Sequence, residues 1–202
     1  MRFDLHIHTS VSSCSEIRPE DLVQVARIKG LDGICITDHN TMGIRNHLKE
    51  GVQDNGLVVI FGMEYDTPQG DFLIFGPFEN ISHGMDAYEL LEFTDNQGGI
   101  AIAAHPARAD RPVDIDIFNA GLLKFIESFN GRNSEIENIK ARELADYYSL
   151  AEVYGSDSHT LEEIGSIYTE FRDVITGRED FIYSMKNGLL TDGLKIPVKE
   201  KA

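Results

Sequence analysis

Short apolar runs alternate with amphipathic stretches along the chain. Residues 2–7, 33–37, 57–63, 72–75, 100–104, 122–127 and 151–154 are rich in Ile, Val, Leu and Phe and are bounded by turn residues, which predicts strands. Residues 166–171 make a weaker eighth run. Between most of these the apolar positions change to helical spacing. Arg18-Pro19-Glu20-Asp21 places a proline and two acids where a helix begins; Leu22, Val23, Val25, Ala26 and Ile28 continue it and Gly30 ends it. Residues 86–94, 134–148 and 179–187 are further predicted helices, and His47 falls in another charged helical stretch. This alternation argues for an α/β domain with mainly parallel strands, either a closed barrel or an open doubly wound sheet.

Composition narrows this picture. The 202 residues hold no low-complexity tract, linker or internal repeat, so one domain over residues 1–202 is expected. Acidic residues outnumber basic ones 34 to 18, a formal charge of −16. Such a surface repels long duplex DNA, yet a short phosphorylated substrate stays compatible, because a bound metal reverses the local field. Apolar runs such as Leu57-Val58-Val59-Ile60-Phe61 fall far short of the roughly 20 residues that span a bilayer. Asp4 and His6 stand where a secretory signal needs apolar residues, and two cysteines make no disulfide scaffold. A cytoplasmic protein without membrane partners is the expectation.

The candidate chemistry lies at strand ends. His6 and His8 close the first run, Asp38 and His39 follow the second, Glu64 the third and His105 the fifth; Glu127 and Asn130 lie at or past the sixth, Asp157 and His159 past the seventh. Carboxyl ends of parallel strands converge on one face, where α/β active sites are built. Residues i and i+2 of a strand point the same way, so His6 with His8, and Asp157 with His159, can each serve one site. Imidazoles with carboxylates suit Zn, Mn or Fe. Seven candidates (His6, His8, His39, Glu64, His105, Asp157 and His159) exceed one coordination sphere, which points to two or three clustered divalent ions.

Other residues admit two readings. Asp38 and Asp157 could each cap a helix. Cys14 could approach the ions or be a plain loop cysteine, and Asn130 could bond to the site or cap a turn. Arg108 and Arg132 follow strand ends and could clamp a phosphate or form surface ion pairs. Cys35 reads as core, His47 as solvated and His83 as a polar-loop histidine. P-loop, nucleophile-elbow and Cys-x-x-Cys motifs are absent.

Asp4-Leu5-His6-Ile7-His8-Thr9, Ile36-Thr37-Asp38-His39-Asn40, Gly62-Met63-Glu64, Ala104-His105-Pro106 and Gly155-Ser156-Asp157-Ser158-His159-Thr160 resemble, in order, the motifs of the PHP (polymerase and histidinol phosphatase) superfamily. The resemblance implies a distorted (β/α)7-type barrel with the site at the strand carboxyl ends. It implies that His6, His8, Glu64 and Asp157 share one ion, that His39 and His159 hold a second, and that Glu64 and His105 lie near a third. Where the family often has a further Asp or His ligand after the first two histidines, this chain has Ser13 or Cys14; another ligand position falls near Phe78. The expected activity is metal-dependent hydrolysis of a small phosphomonoester, nucleotide or short oligonucleotide by a bridging hydroxide, with Asp38 or His159 shuttling a proton. Hydrolysis of a non-phosphate bond and a non-catalytic metal-binding subunit are the alternatives.

Overall fold

The computed structural model describes residues 1–188. Among these residues, ten strands fall into two five-stranded sheets. The first has the order β10-β1-β2-β4-β3, built from β1 (Arg2–Ile7), β2 (Gly33–Ile36), β3 (Gly51–Val52), β4 (Val58–Phe61) and β10 (Thr169–Glu170). The second runs β5-β6-β7-β8-β9, from β5 (Met63–Thr67), β6 (Gly70–Phe75), β7 (Ile100–Ala103), β8 (Phe125–Asn130) and β9 (Ala151–Gly155). Five helices accompany them: α1 (Pro19–Ile28), α2 (Ala87–Asn96), α3 (Ile115–Asn119), α4 (Glu135–Tyr148) and α5 (Arg178–Lys186). The fold is therefore α/β, as the apolar pattern implied.

Parallel pairing does not dominate. β1–β2, β2–β4, β7–β8 and β8–β9 are parallel, whereas β1–β10, β3–β4, β5–β6 and β6–β7 are antiparallel. Among the described residues no continuous ladder joins the sheets. Single bridges, Ile7 with Ser158 and His39 with Glu64, stitch them together. The run 57–63, expected as one strand, is cut at Gly62, so β4 stays in the first sheet and β5 enters the second. A Cβ on Gly62 would lie 2.4 Å from the Phe75 ring and 2.9 Å from the Ile74 carbonyl, so only glycine fits at the break. β5 then turns back on β6 through Pro68-Gln69-Gly70, with Gly70 at φ 126°.

Local chemistry sets the helices. Ser134 and Asp86 open α4 and α2 with reciprocal capping boxes to Glu137 and Glu89. Leu22 and Ala26 of α1 pack with Ile34 and Ile36 of β2. Phe181 and Met185 of α5 pack with Phe3, Phe75 and Phe171. His47 lies just past a single 3-10 turn, Gly43–Asn46, rather than inside a helix, and is exposed. Among the described residues no helix is long and apolar enough to cross a membrane.

Candidate metal centre

Strand ends bring the ionisable groups together. His6 and His8 extend from β1 on one side, with their Nε2 atoms 3.1 Å apart. Glu64 enters from β5, and its Oε2 lies 3.2 Å from His6 Nε2, 3.0 Å from His8 Nε2 and 3.4 Å from His39 Nε2. Its Oε1 lies 2.8 Å from His105 Nε2, past β7. Asp157, past β9, sets Oδ1 3.4 Å from His8 Nε2 and 3.7 Å from His6 Nε2. His6, His8, Glu64, His105 and Asp157 are all buried.

The tethers on the far side of the imidazoles fix which nitrogen faces the cluster. His6 Nδ1 donates to Glu127 Oε1 at 3.0 Å, His39 Nδ1 to Asp66 Oδ1 at 3.1 Å, and His159 Nδ1 to the Asp157 carbonyl at 2.8 Å. These oxygens only accept, so Nδ1 carries the proton and the neutral ring presents a bare Nε2. For His6 and His39 that lone pair would face a Glu64 carboxylate oxygen, which is repulsive unless a proton or a cation lies between them. Without an ion, a proton between them would relieve this. Burial alone would depress His6, but Glu127, Asp157 and Glu64 outweigh it and hold the ring well above its ordinary value. Conversely, burial would raise Glu64, but His6, His105 and His8 hold it well below the usual carboxylate range. Such a set of convergent imidazoles and carboxylates fits divalent cations, which replace the protons. Four trios have ligand atoms within 4.8 Å of one another: His6-His8-Asp157, His8-His39-Glu64, His6-Glu64-His105 and His8-Cys14-His159. The seven expected ligands thus all belong to at least one trio.

Backbone and hydrogen bonds hold this geometry. His105 and Asp157 sit at φ 30° and 56°, left-handed conformations unusual for these side chains. Glu127 Oε2 accepts the His105 backbone N–H at 2.8 Å and Asn130 Nδ2 at 2.9 Å. Gly155 lets β9 approach: a Cβ there would fall 2.6 Å from both Glu127 Oε1 and His6 Cβ. Asp4 binds the segment that carries Asp157, accepting the Ser156 N–H at 3.0 Å and the Gly165 N–H at 2.9 Å, and burial raises its carboxyl to about 6.

The remaining sequence candidates separate. Asp38 is buried, but Thr9 and Ser12 occupy both of its oxygens at 2.7–2.9 Å, so it fastens the loop after β1. Arg108 donates to Asp157 Oδ2 at 2.6 Å and to Asn130 and Asn133 at 3.0 Å. Arg132 pairs with Glu163 at 3.3 Å. Asn130 bonds within the site, while Phe78 is core and meets Phe93 at 5.7 Å. His83 is exposed and faces the Tyr65 ring, and Cys35 is buried in the core. Sequence reasoning missed Asp4 and Asp66. Asp4 could have been found from its place two residues before His6, in step with the two histidines.

Fold and site together fit the class of metal-dependent hydrolases. The PHP domain family model matches residues 4–175, and the chain belongs to this family. An uncharacterized protein of Methanocaldococcus jannaschii, MJ0417, is 32% identical over 188 residues, covering 89% of this chain and 74% of that protein. Solved structures share the fold, among them the following two. PsfC from Pseudomonas syringae has a TM-score of 0.73 at 19% identity, covering 91% of this chain and 88% of PsfC. A candidate metal-dependent phosphoesterase from Bifidobacterium adolescentis has a TM-score of 0.67 at 16% identity, covering 91% of this chain and 95% of that one.

Proposed function

We propose that this protein hydrolyses a small phosphomonoester, nucleotide or short oligonucleotide with two or three divalent ions, Zn, Mn or Fe. The observation that carries the reading is Glu64: one buried carboxylate within 3.4 Å of the Nε2 atoms of His6, His8, His39 and His105. A carboxylate so placed can be shared between neighbouring cations. The two stitched sheets would act as walls of a distorted barrel with this cluster at its strand carboxyl ends. The candidate phosphoesterase sharing the fold supports the choice of a phosphoester.

When bound, the ions would lower the pKa of a water and neutralise phosphoryl charge. This chain's own residues would supply the rest. Glu127 and Asp66 orient His6 and His39 through their Nδ1 protons. His159 stands at the rim; burial lowers its imidazole below the ordinary value, so it is neutral near pH 7. With Nδ1–H held by the Asp157 carbonyl, its free Nε2 would either hold an ion or accept the proton released by the attacking water and pass it to the leaving oxygen. Asp38, with both oxygens engaged, is the poorer shuttle. Arg108 keeps Asp157 oriented through Nη2, and only its Nη1 would remain for a phosphate oxygen. Arg132, paired at the surface, would reach only an extended substrate.

The test is turnover of a panel of phosphomonoesters, nucleotides, short oligonucleotides and amides with added Mn²⁺ or Zn²⁺. Phosphoester turnover that falls at least about a thousandfold in His8→Ala is expected. Turnover of amides alone would favour the non-phosphate hydrolase. A metal-loaded protein inert on the whole panel would favour a non-catalytic subunit.

A further inference from the structure

The fourth trio differs from the others in its chemistry: it alone includes sulfur. Cys14 lies on the loop after β1, and its Sγ, one nitrogen of His8 and one of His159 are all within 4.8 Å of one another. The loop is pinned at both of those histidines. Ser15 Oγ donates to the His8 carbonyl at 2.9 Å and lies 3.1 Å from the His159 carbonyl, and the Glu16 N–H donates to the His159 carbonyl at 3.1 Å. Within the loop the Ser10 N–H donates to the Ile17 carbonyl at 2.8 Å, and Ser12 is held against Asp38. Ser12 and Ser15 are buried, while Cys14 is exposed yet has its sulfur at the two imidazoles. His8 itself is fully buried, and its Nδ1 has no hydrogen-bond partner among the described residues.

We propose that Cys14 supplies a thiolate ligand to an outer ion of the cluster, held together with His159 and His8. The assignment rests on the metal-dependent reading above and gives that site a soft donor. Sulfur and imidazole favour zinc, iron or cobalt over magnesium or calcium, so this position sets metal preference. On binding, the thiol loses its proton to solvent and sulfur bonds to the cation. His159 would then be engaged as a ligand at this position, which makes its availability depend on the outer ion.

Cobalt replaces zinc with a readable spectrum, so the full-length chain is titrated with Co²⁺ alone and its visible and near-ultraviolet absorption recorded. Visible bands report bound ion, and an intense near-ultraviolet band reports a cobalt–thiolate bond. The same titration is run on Cys14→Ser and Cys14→Asp. Alkylation by iodoacetamide, with and without Zn²⁺, is followed by mass. It reads Cys14 alone, because Cys35 is buried in the core and burial pushes its thiol well above the ordinary value. The expected result is a thiolate band in the native chain that both variants lose while keeping the visible bands. Zn²⁺ should also slow alkylation about tenfold or more. Visible bands without the thiolate band, with alkylation unchanged by zinc, overturn the Cys14 assignment and leave the metal centre standing. Absence of all cobalt bands overturns the metal centre, and the assignment with it.

Discussion

β1 links two buried regions of opposite character. At its start Phe3 meets Phe171 at 5.4 Å and Phe181 at 6.5 Å, and Phe181 meets Phe75 at 4.9 Å edge to face. Near its end, His6 and His8 are just as buried but lie among Glu64, Glu127 and Asp157. The aromatic end is complete, since each ring finds apolar partners and nothing is left to satisfy. The ionisable end is not: buried charges are costly unless paired, and the Nδ1 atoms of His8 and His105 lack partners among the described residues. The contrast teaches where this fold derives its stability and where it spends it. One end packs residues of both sheets into an apolar cluster, and the other gathers groups that could hold cations.

The sharpest break between the two ends is Phe181→Ala. It should lower unfolding stability by about 3–5 kcal/mol, through lost burial and the cavity left behind. Ion binding to the protein that remains folded should be unchanged. Calorimetric unfolding with and without Zn²⁺ measures both, and a loss of ion affinity as large as the loss of stability would show that the ends are not separable.

Glu127→Gln probes the ionisable end without emptying it. The variant keeps the size of the side chain but weakens the acceptor for the His6 Nδ1 proton and the His105 N–H. Metal affinity should fall about 10–100-fold, read by competition with a chelator. Stability of the ion-free protein should change much less than in Phe181→Ala.

Arg178→Ala is expected to have the smallest effect. Arg178 fastens the start of α5, donating to the Gly76 carbonyl, to Glu50 at 2.9 Å and to Glu79 at 2.6 Å. Loss of these contacts should cost about 1–2 kcal/mol and leave the ions bound. The deficit depends on pH. Burial would raise Glu79, but Arg178 holds its carboxyl below the ordinary 4.5. A depressed carboxylate contributes stability above its unfolded value and loses it as pH falls through the folded one. The difference between native and variant melting temperatures should therefore be full near pH 7 and narrow below about pH 4.5.

Much of the site was legible in the sequence because it rests on a short-range rule. Residues two apart in a strand share a side, which brings His6 and His8 together; Asp157 and His159, expected to pair in the same way, lie past the end of β9 with Asp157 at φ 56°, so strand alternation does not place them. Strand ends of an α/β fold converge, so His39, Glu64 and His105 followed. What stayed hidden depends on long-range pairing. Apolar runs do not say which sheet a strand joins, and the split at Gly62 came from close approach to Phe75 and Ile74. The antiparallel β5–β6 hairpin turns through Pro68-Gln69-Gly70, which turn chemistry permits, but local residues do not say with which neighbour each strand pairs. Asp38 looked like site chemistry because it adjoins His39, and only the positions of Thr9 and Ser12 show what its oxygens do. Arg132 likewise follows a strand end, yet its partner is Glu163.

On the proposed reading, the buried ionisable end of β1 and its neighbours hold several cations around Glu64. Metal analysis of native protein and Glu64→Gln, both purified without chelator and dialysed against trace Zn²⁺ and Mn²⁺, tests it most directly. Two or more ions per native chain and a clear loss in the variant are the expected result. A native chain that retains no ion, or a variant that retains as many as the native chain, would contradict it.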